Sequence, residues 1–314
     1  MRRRGQSTAL AILLYHRIGE DDGPDPMGLN VSPERFAEQL HALARRFELV
    51  TLSERDGTIR DGPAVVITFD DGYAGVLHHA KPLLQRLSAP ASAFIASGFV
   101  GSGREFWWEE LAGLILSSPR PLTELRLDGE LIRARDDGLP PWRRRGVTST
   151  YRLYYLLARK LARVTIEQRE RLLEAVAAQV GAEATPRRGR MPLDERGVCE
   201  LASGGLIEIG AHTVSHPVLA TLDASDQSLE ITGCKHALEA LTTAKVSSFA
   251  YPYGGASDYT PESVSLVRTA GFERACANHQ GPARPTSDPF QLPRMIVRDW
   301  DGAGLVARVE RLLR

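Results

Sequence analysis

Two short stretches carry the residue types that hold a metal and move a proton: Thr68-Phe69-Asp70-Asp71-Gly72-Tyr73 and His212-Thr213-Val214-Ser215-His216. Two imidazoles and one carboxylate make a three-ligand set that leaves positions open for water and substrate, as a catalytic metal requires. With a second carboxylate beside it, the chemistry of such a set is hydrolytic. Each half also has a plainer reading. Asp-Asp-Gly after a strand is a common turn sequence, because Asp accepts hydrogen bonds from turn amides, and a His-x3-His pair can be a solvated helix face. It is the joint occurrence, in a chain with only eight histidines, that argues for one site.

The flanking residues say how the two halves would be positioned. Val65, Val66, Ile67 and Phe69 make Pro63 to Phe69 a buried strand, which Gly72 ends. Leu206 to Gly210 is a second apolar run that stops where polar residues begin. Both pairs therefore stand at strand C-terminal ends, where catalytic groups gather in α/β folds. If Ala211 to Leu219 turns helically, His212 and His216 share one face. Ala9 to Leu14 is a third apolar run ending in a histidine, His16, which is either a third group at the same end or a neutral core histidine.

These motifs resemble those of the polysaccharide deacetylases with a NodB-type domain, the metal-dependent carbohydrate esterases. Thr68 to Gly72 is similar to the family's first motif, His212 to His216 to its second, and Phe249-Ala250-Tyr251-Pro252-Tyr253-Gly254 to its third. The resemblance implies that Asp70 is the catalytic base and that Asp71, His212 and His216 hold a divalent metal, zinc first, with cobalt, nickel or iron as alternatives. It gives the backbone N–H of Tyr253 a place in stabilising the oxyanion. Ala250 stands where the family's third motif carries an arginine, so the group that steadies the base must come from elsewhere; Arg294 in Leu292-Pro293-Arg294-Met295-Ile296-Val297 is the candidate, against the reading of a surface arginine at a strand start. The chain also lacks a clear Leu-x-His near its C-terminus. Leu13-Leu14-Tyr15-His16-Arg17 instead resembles the biofilm-polysaccharide deacetylases, whose motifs are permuted and whose general acid is an N-terminal histidine.

The order of apolar patterns alternates strand and helix, which implies parallel strands with outer helices. Expected helices include Pro33 to Arg46, with Ser32 as cap, and Gly75 to Leu87, Ser225 to Leu241 and Gly302 to Leu313. Expected strands include Phe47 to Leu52, Ala91 to Ala96, Val246 to Tyr251, Phe272 to Ala277 and Pro293 to Val297. The family's distorted (β/α) barrel, with about seven parallel strands, is consistent with that count. Residues 101–192 break the rhythm and are expected as a helical insertion forming a lid or wall over the cleft of a single domain spanning 1–314. Trp107 and Trp108 either stack on a sugar ring or pin the insertion, and Tyr73 and Tyr251, beside the motifs, are the other candidate substrate contacts.

Composition bounds the partners. At 314 residues, 43% hydrophobic, the chain can bury a substantial core without staples. Its formal net charge of +0 points to neither nucleic acid nor anionic membrane as a main partner. Arg2-Arg3-Arg4 and Arg143-Arg144-Arg145 are local basic clusters, solvated or used for peripheral membrane contact. Three cysteines without Cys-x-x-Cys spacing suit reduced thiols and a cytoplasmic location. The apolar run after Arg4 is too short for a signal peptide, and no segment approaches the roughly 20 apolar residues of a spanning helix. The activity that the family resemblance implies is removal of an N-acetyl group from an amino sugar or a glycosylated small molecule. The alternatives are a deformylase of a lipid-linked aminosugar and an inactive sugar-binding protein of the same fold.

Overall fold

The computed structural model describes residues 9–53, 63–134, 148–181 and 185–314; both arginine clusters lie outside them. The chain divides into two units, one of Met1–Asp21, Leu29–Gly103 and Pro192–Arg314, the other of Asp22–Gly28 and Arg104–Met191.

The first unit is built on eight parallel strands: β1 (Leu10–Tyr15), β2 (Glu48–Leu49), β3 (Ala64–Phe69), β4 (Ala91–Ile95), β5 (Ile207–Ala211), β6 (Ser248–Ala250), β7 (Arg274–Cys276) and β8 (Met295–Ile296). Their order is β7-β6-β5-β4-β3-β1-β8, with β2 paired to the start of β3. Every residue of β1 and β3 is buried, as expected of strands covered on both faces. Their register runs unbroken from Leu10 opposite Ala64 to Tyr15 opposite Phe69. One segment brings the sheet's two edges together. Leu292 exchanges backbone hydrogen bonds with Ala275 in β7 and Ala277 just after it, and three residues later Met295 and Ile296 pair with Leu13 and Leu14 of β1. The result is a distorted barrel of parallel strands, the architecture that the family resemblance implies.

Most expected helices appear within a residue or two. Ser32 caps Pro33–Arg46 by accepting from the Arg35 N–H, and Asp223 and Asp301 cap Ala224–Thr242 and Gly302–Leu313 in the same way. The late strands are shorter than their apolar runs, because their ends turn into the site and because Pro293 has no N–H for a ladder. The helix expected over Gly75–Leu87 opens as a π-helical turn, Val76–Ala80, before α-helix Lys81–Leu87. Pro82 offers no N–H to residue 78 and crowds its carbonyl, and the widened turn accommodates it.

Glycines are needed where the barrel is tightest. A Cβ on Gly210 of β5 would lie 2.4 Å from Phe94 Cδ1 and 2.8 Å from Ser248 Oγ. Phe94 is fully buried, and the Arg294 guanidinium sits 5.6 Å above its ring. Gly210→Ala is expected to cost about 1–3 kcal/mol by overpacking, read as a lower urea midpoint with an unchanged slope.

The second unit contains helices Trp107–Leu116, Ser149–Leu161 and Ile166–Val180 and the hairpin of Glu124–Leu127 with Glu130–Arg133. Its turn residues Asp128 and Gly129 both have positive φ, 48° and 80°, as a two-residue hairpin requires. Arg190 has a fully buried side chain, bonded to Asp22 at 2.8 Å and Glu109 at 2.6 Å, which ties the Asp22–Gly28 segment to this unit.

Candidate metal centre and active site

Parallel pairing puts the C-terminal ends of the strands on one side, and the site is assembled from the residues that follow them. Asp70 and Asp71 leave β3, His212 leaves β5, the turn at Tyr253 follows β6, and His16 follows β1. Asp70, Asp71, His212 and His216 are all buried. Asp71 Oδ1 lies 3.4 Å from Nε2 of His212 and 3.4 Å from Nε2 of His216. The three donor atoms fall within 4.8 Å of one another.

That donor set fits a divalent cation. Donors about 2.1 Å from a tetrahedral zinc stand roughly 3.4 Å apart, the separation found between Asp71 and each imidazole. Nδ1 of His212 is 2.8 Å from the Ala250 carbonyl, which can only accept, so the neutral ring carries its proton on Nδ1 and presents the Nε2 lone pair to the cluster. Burial alone would raise the Asp71 carboxyl. With no metal bound, a proton drawn to His212 Nε2 by the two aspartates makes a hydrogen bond to Asp71, and that bond together with the nearby charges of His216 and His16 outweighs burial and holds the carboxyl down at about 2.

Asp70 faces a different partner. Arg294 donates to both of its oxygens at 2.7 Å, a bidentate pair with the arginine side chain fully enclosed. Burial pushes the Asp70 carboxyl up, and the Arg294 charge and hydrogen bonds bring it below its ordinary value. The arginine missing at Ala250 is thus matched by one from the segment that closes the barrel. Asp70 Oδ2 is 3.9 Å from His212 Nε2, so the two aspartates share one site with different attachments.

The His212–His216 segment is a loop, which corrects the helical reading. Thr213 and His216 have φ of 64° and 56°, and it is this turned backbone that brings the two imidazoles to one carboxylate. Of the seven non-glycine residues with positive φ among the described residues, four are Asp71, Thr213, His216 and Tyr253. Each costs on the order of 1–3 kcal/mol unless its surroundings hold it. Glu230 supplies much of that hold, accepting from the Val214 and Ser215 N–H groups at 2.8 Å and from Ser215 Oγ at 2.5 Å. Thr213 Oγ1 accepts from the His216 N–H. From the other side, Gly98 N–H donates to the Val214 carbonyl, so close that a Cβ on Gly98 would meet that oxygen at 2.7 Å.

His16 is partly buried beside this cluster. Burial lowers its pKa, while the charges of Asp71 and Asp70 oppose that shift. His279, the other histidine near a strand end, has its Nε2 2.6 Å from the Tyr259 hydroxyl. The Tyr253 ring stands edge-on to His216, centroids 4.8 Å apart. The four aromatic candidates for substrate contact are enclosed. Tyr251 stacks on Tyr259 at 4.1 Å and donates to the Phe290 carbonyl, and Tyr73 has no exposed surface. In the second unit, Trp108 stacks on Phe106 at 4.8 Å and Trp107 lies beneath the Arg169 guanidinium. A sugar stacking on any of these rings would have to displace such neighbours. Two site residues that sequence reasoning missed are Glu230, in the middle of a helix, and Asn278, which touches both Arg294 and the Tyr253 turn; neither belongs to a recognisable motif.

The family model for polysaccharide deacetylase matches residues 147–275, a span that includes His212, His216 and Phe249–Gly254 and lies beyond Asp70 and Asp71. Among curated proteins no sequence matches the chain. Among solved structures the chain is similar to a polysaccharide deacetylase from Bacillus cereus (16% identity, 96% of this chain and 68% of that one, TM-score 0.61). It is also similar to IcaB from Ammonifex degensii (19% identity, 98% and 99%, TM-score 0.61) and to the Streptococcus pyogenes deacetylase PplD in complex with acetate (14%, 98% and 100%, TM-score 0.58). At these identities the likeness is one of fold, and within that fold it is residues 147–275, less than half of the chain, that match the polysaccharide deacetylase family model.

Proposed function

We propose that the chain is a metal-dependent hydrolase that removes the N-acetyl group of an amino sugar. The observation that carries this reading is the Asp70–Arg294 bidentate pair standing against the Asp71–His212–His216 donor set at one end of the barrel. A divalent cation held by Asp71, His212 and His216, zinc in the first instance, would supply Lewis-acid polarisation of the amide carbonyl and an acidified water.

The chain's own groups do the rest. Asp70 takes the proton of the attacking water, and Arg294 keeps it ionised and oriented for that task. The Tyr253 N–H donates to the oxyanion, a contribution on the order of 3 kcal/mol for one donor. His16 protonates the departing amine, without which the leaving group would be an amide anion, too basic to expel. The three free cysteines, Cys199, Cys234 and Cys276, support a reducing compartment, and with it a substrate that is a nucleotide sugar, a lipid-linked intermediate or a small glycosylated metabolite.

The test is free-amine formation from an N-acetylglucosamine oligomer by chelated and zinc-reconstituted protein. Amine that appears only after reconstitution supports the reading, and equal rates in both preparations would overturn it. His16 has its own signature. In His16→Ala, kcat on the amide should fall by about 100-fold or more, with metal content unchanged. Hydrolysis of an aryl acetate, whose phenolate leaves without a proton, should stay within a few-fold. The basic limb of the amide pH–rate profile should vanish in the variant. In the wild type it should lie no higher than an ordinary imidazole, since burial depresses His16. His279→Ala should change little.

A further inference from the structure

We propose that Asn278 is a positioning residue that couples the base to the oxyanion turn; the inference rests on the reading of Asp70 and Tyr253 just given. Asn278 lies two residues beyond β7, at the same end of the barrel as the site. Its Oδ1 accepts from Nη2 of Arg294 at 3.0 Å, the same nitrogen that donates to Asp70 Oδ2. Its Nδ2 donates to the Tyr253 carbonyl at 2.5 Å, and its backbone N–H donates to the Gly254 carbonyl at 2.8 Å. The orientation of the amide follows from chemistry. A guanidinium offers only donors and a carbonyl only acceptors, so just one of the two amide flips satisfies both contacts.

The turn that Asn278 holds is an unusual one. Tyr253 and Gly254 have consecutive left-handed φ values of 60° and 67°. A tyrosine does not choose that conformation unaided. Asn278 ties down the carbonyls of both residues, which fixes the path of the chain that carries the Tyr253 N–H. Gly254 makes room for this: a Cβ there would lie 2.9 Å from Asn278 N and 3.0 Å from its Cγ. One residue therefore holds both the fork that grips Asp70 and the turn immediately following the Tyr253 N–H. Neither group can shift alone without breaking an Asn278 bond.

The test uses the full-length, zinc-loaded protein and p-nitrophenyl acetate, an ester that does not need the acid His16. Asn278→Ala should lower kcat by about 10-fold or more, the loss expected when a hydrogen bond to a charged group is removed, with KM and zinc content little changed. Asn278→Asp keeps the side-chain shape but turns an oxygen toward the Tyr253 carbonyl and adds a carboxylate that competes for Arg294. It should lose at least as much kcat, so a variant that folds poorly in one form is checked by the other. In an Arg294→Lys background, where the fork is already lost, Asn278→Ala should cost clearly less than in the wild type. A kcat within twofold of wild type in either single variant overturns the proposal. So does an equal loss in both backgrounds, a rise in KM alone, or a loss that tracks zinc. If the wild type itself shows no zinc-dependent hydrolysis of the ester, the functional reading falls first and the proposal with it.

Discussion

His212→Ala and His216→Ala should each strip most of the bound divalent metal and nearly all turnover, whereas Asp70→Asn should keep the metal and lose kcat by about 10²- to 10⁴-fold. The contrast comes from the two attachments at the end of β3. Asp71 points one oxygen at both imidazoles, while Asp70 is gripped on both oxygens by Arg294. Removing an imidazole takes away one of only three protein ligands. The Asn side chain at position 70 keeps the size of Asp but cannot take a proton from water. Metal content after dialysis from zinc buffer, set beside kcat for the same preparations, decides the matter. A metal-free Asp70→Asn, or a fully active histidine variant, would reverse the assignments.

Arg294→Ala should destabilise the metal-free protein by about 3–5 kcal/mol at pH 7, because it leaves the Asp70 carboxylate buried without its counter-ion. The pH dependence has a definite sign. In the wild type Asp70 sits below its ordinary pKa, so it contributes stability above the unfolded carboxylate value that is lost as pH falls through the folded one. In the variant, burial acts unopposed by the arginine and raises the Asp70 pKa, so the charged form costs stability above the unfolded value and protonation relieves that cost. The gap between the two proteins should therefore narrow as pH drops toward about 4. Urea unfolding of chelated wild type and variant at pH 7 and pH 4 would show it. A gap under about 1 kcal/mol at pH 7, or one that does not narrow, would mean that Arg294 is not what holds Asp70 ionised.

Much of the site was legible from residue types at strand ends. Apolar runs that stop at Asp70 and His212 fix where the chain leaves a buried sheet, and the register of β1 with β3 brings His16 to the same level. Arg294 could be named because Ala250 leaves a gap in the third motif that a cation elsewhere had to fill. What escaped was the backbone between His212 and His216. Their spacing suits a helix, and nothing in Thr213 or His216 announces a positive φ. The loop is held by a glutamate from the α-helix that follows it and by close approach of Gly98, contacts that exist only after the chain folds. Helix Trp107–Leu116 escaped for a local reason: Phe106 stands at its N-cap and makes no capping bond. The aromatic candidates show a further limit. Trp, Tyr and Phe serve equally as core and as sugar platforms, and only packing separates the two uses.

The most direct test of the central claim is the identity of the acid set free from an N-acetylated amino sugar, quantified in parallel for zinc-loaded wild type, chelated wild type and metal-retaining Asp70→Asn. Acetate equimolar with new amine in the first, and absent from the other two, is the predicted result; acetate that persists in chelated protein or in Asp70→Asn would contradict it.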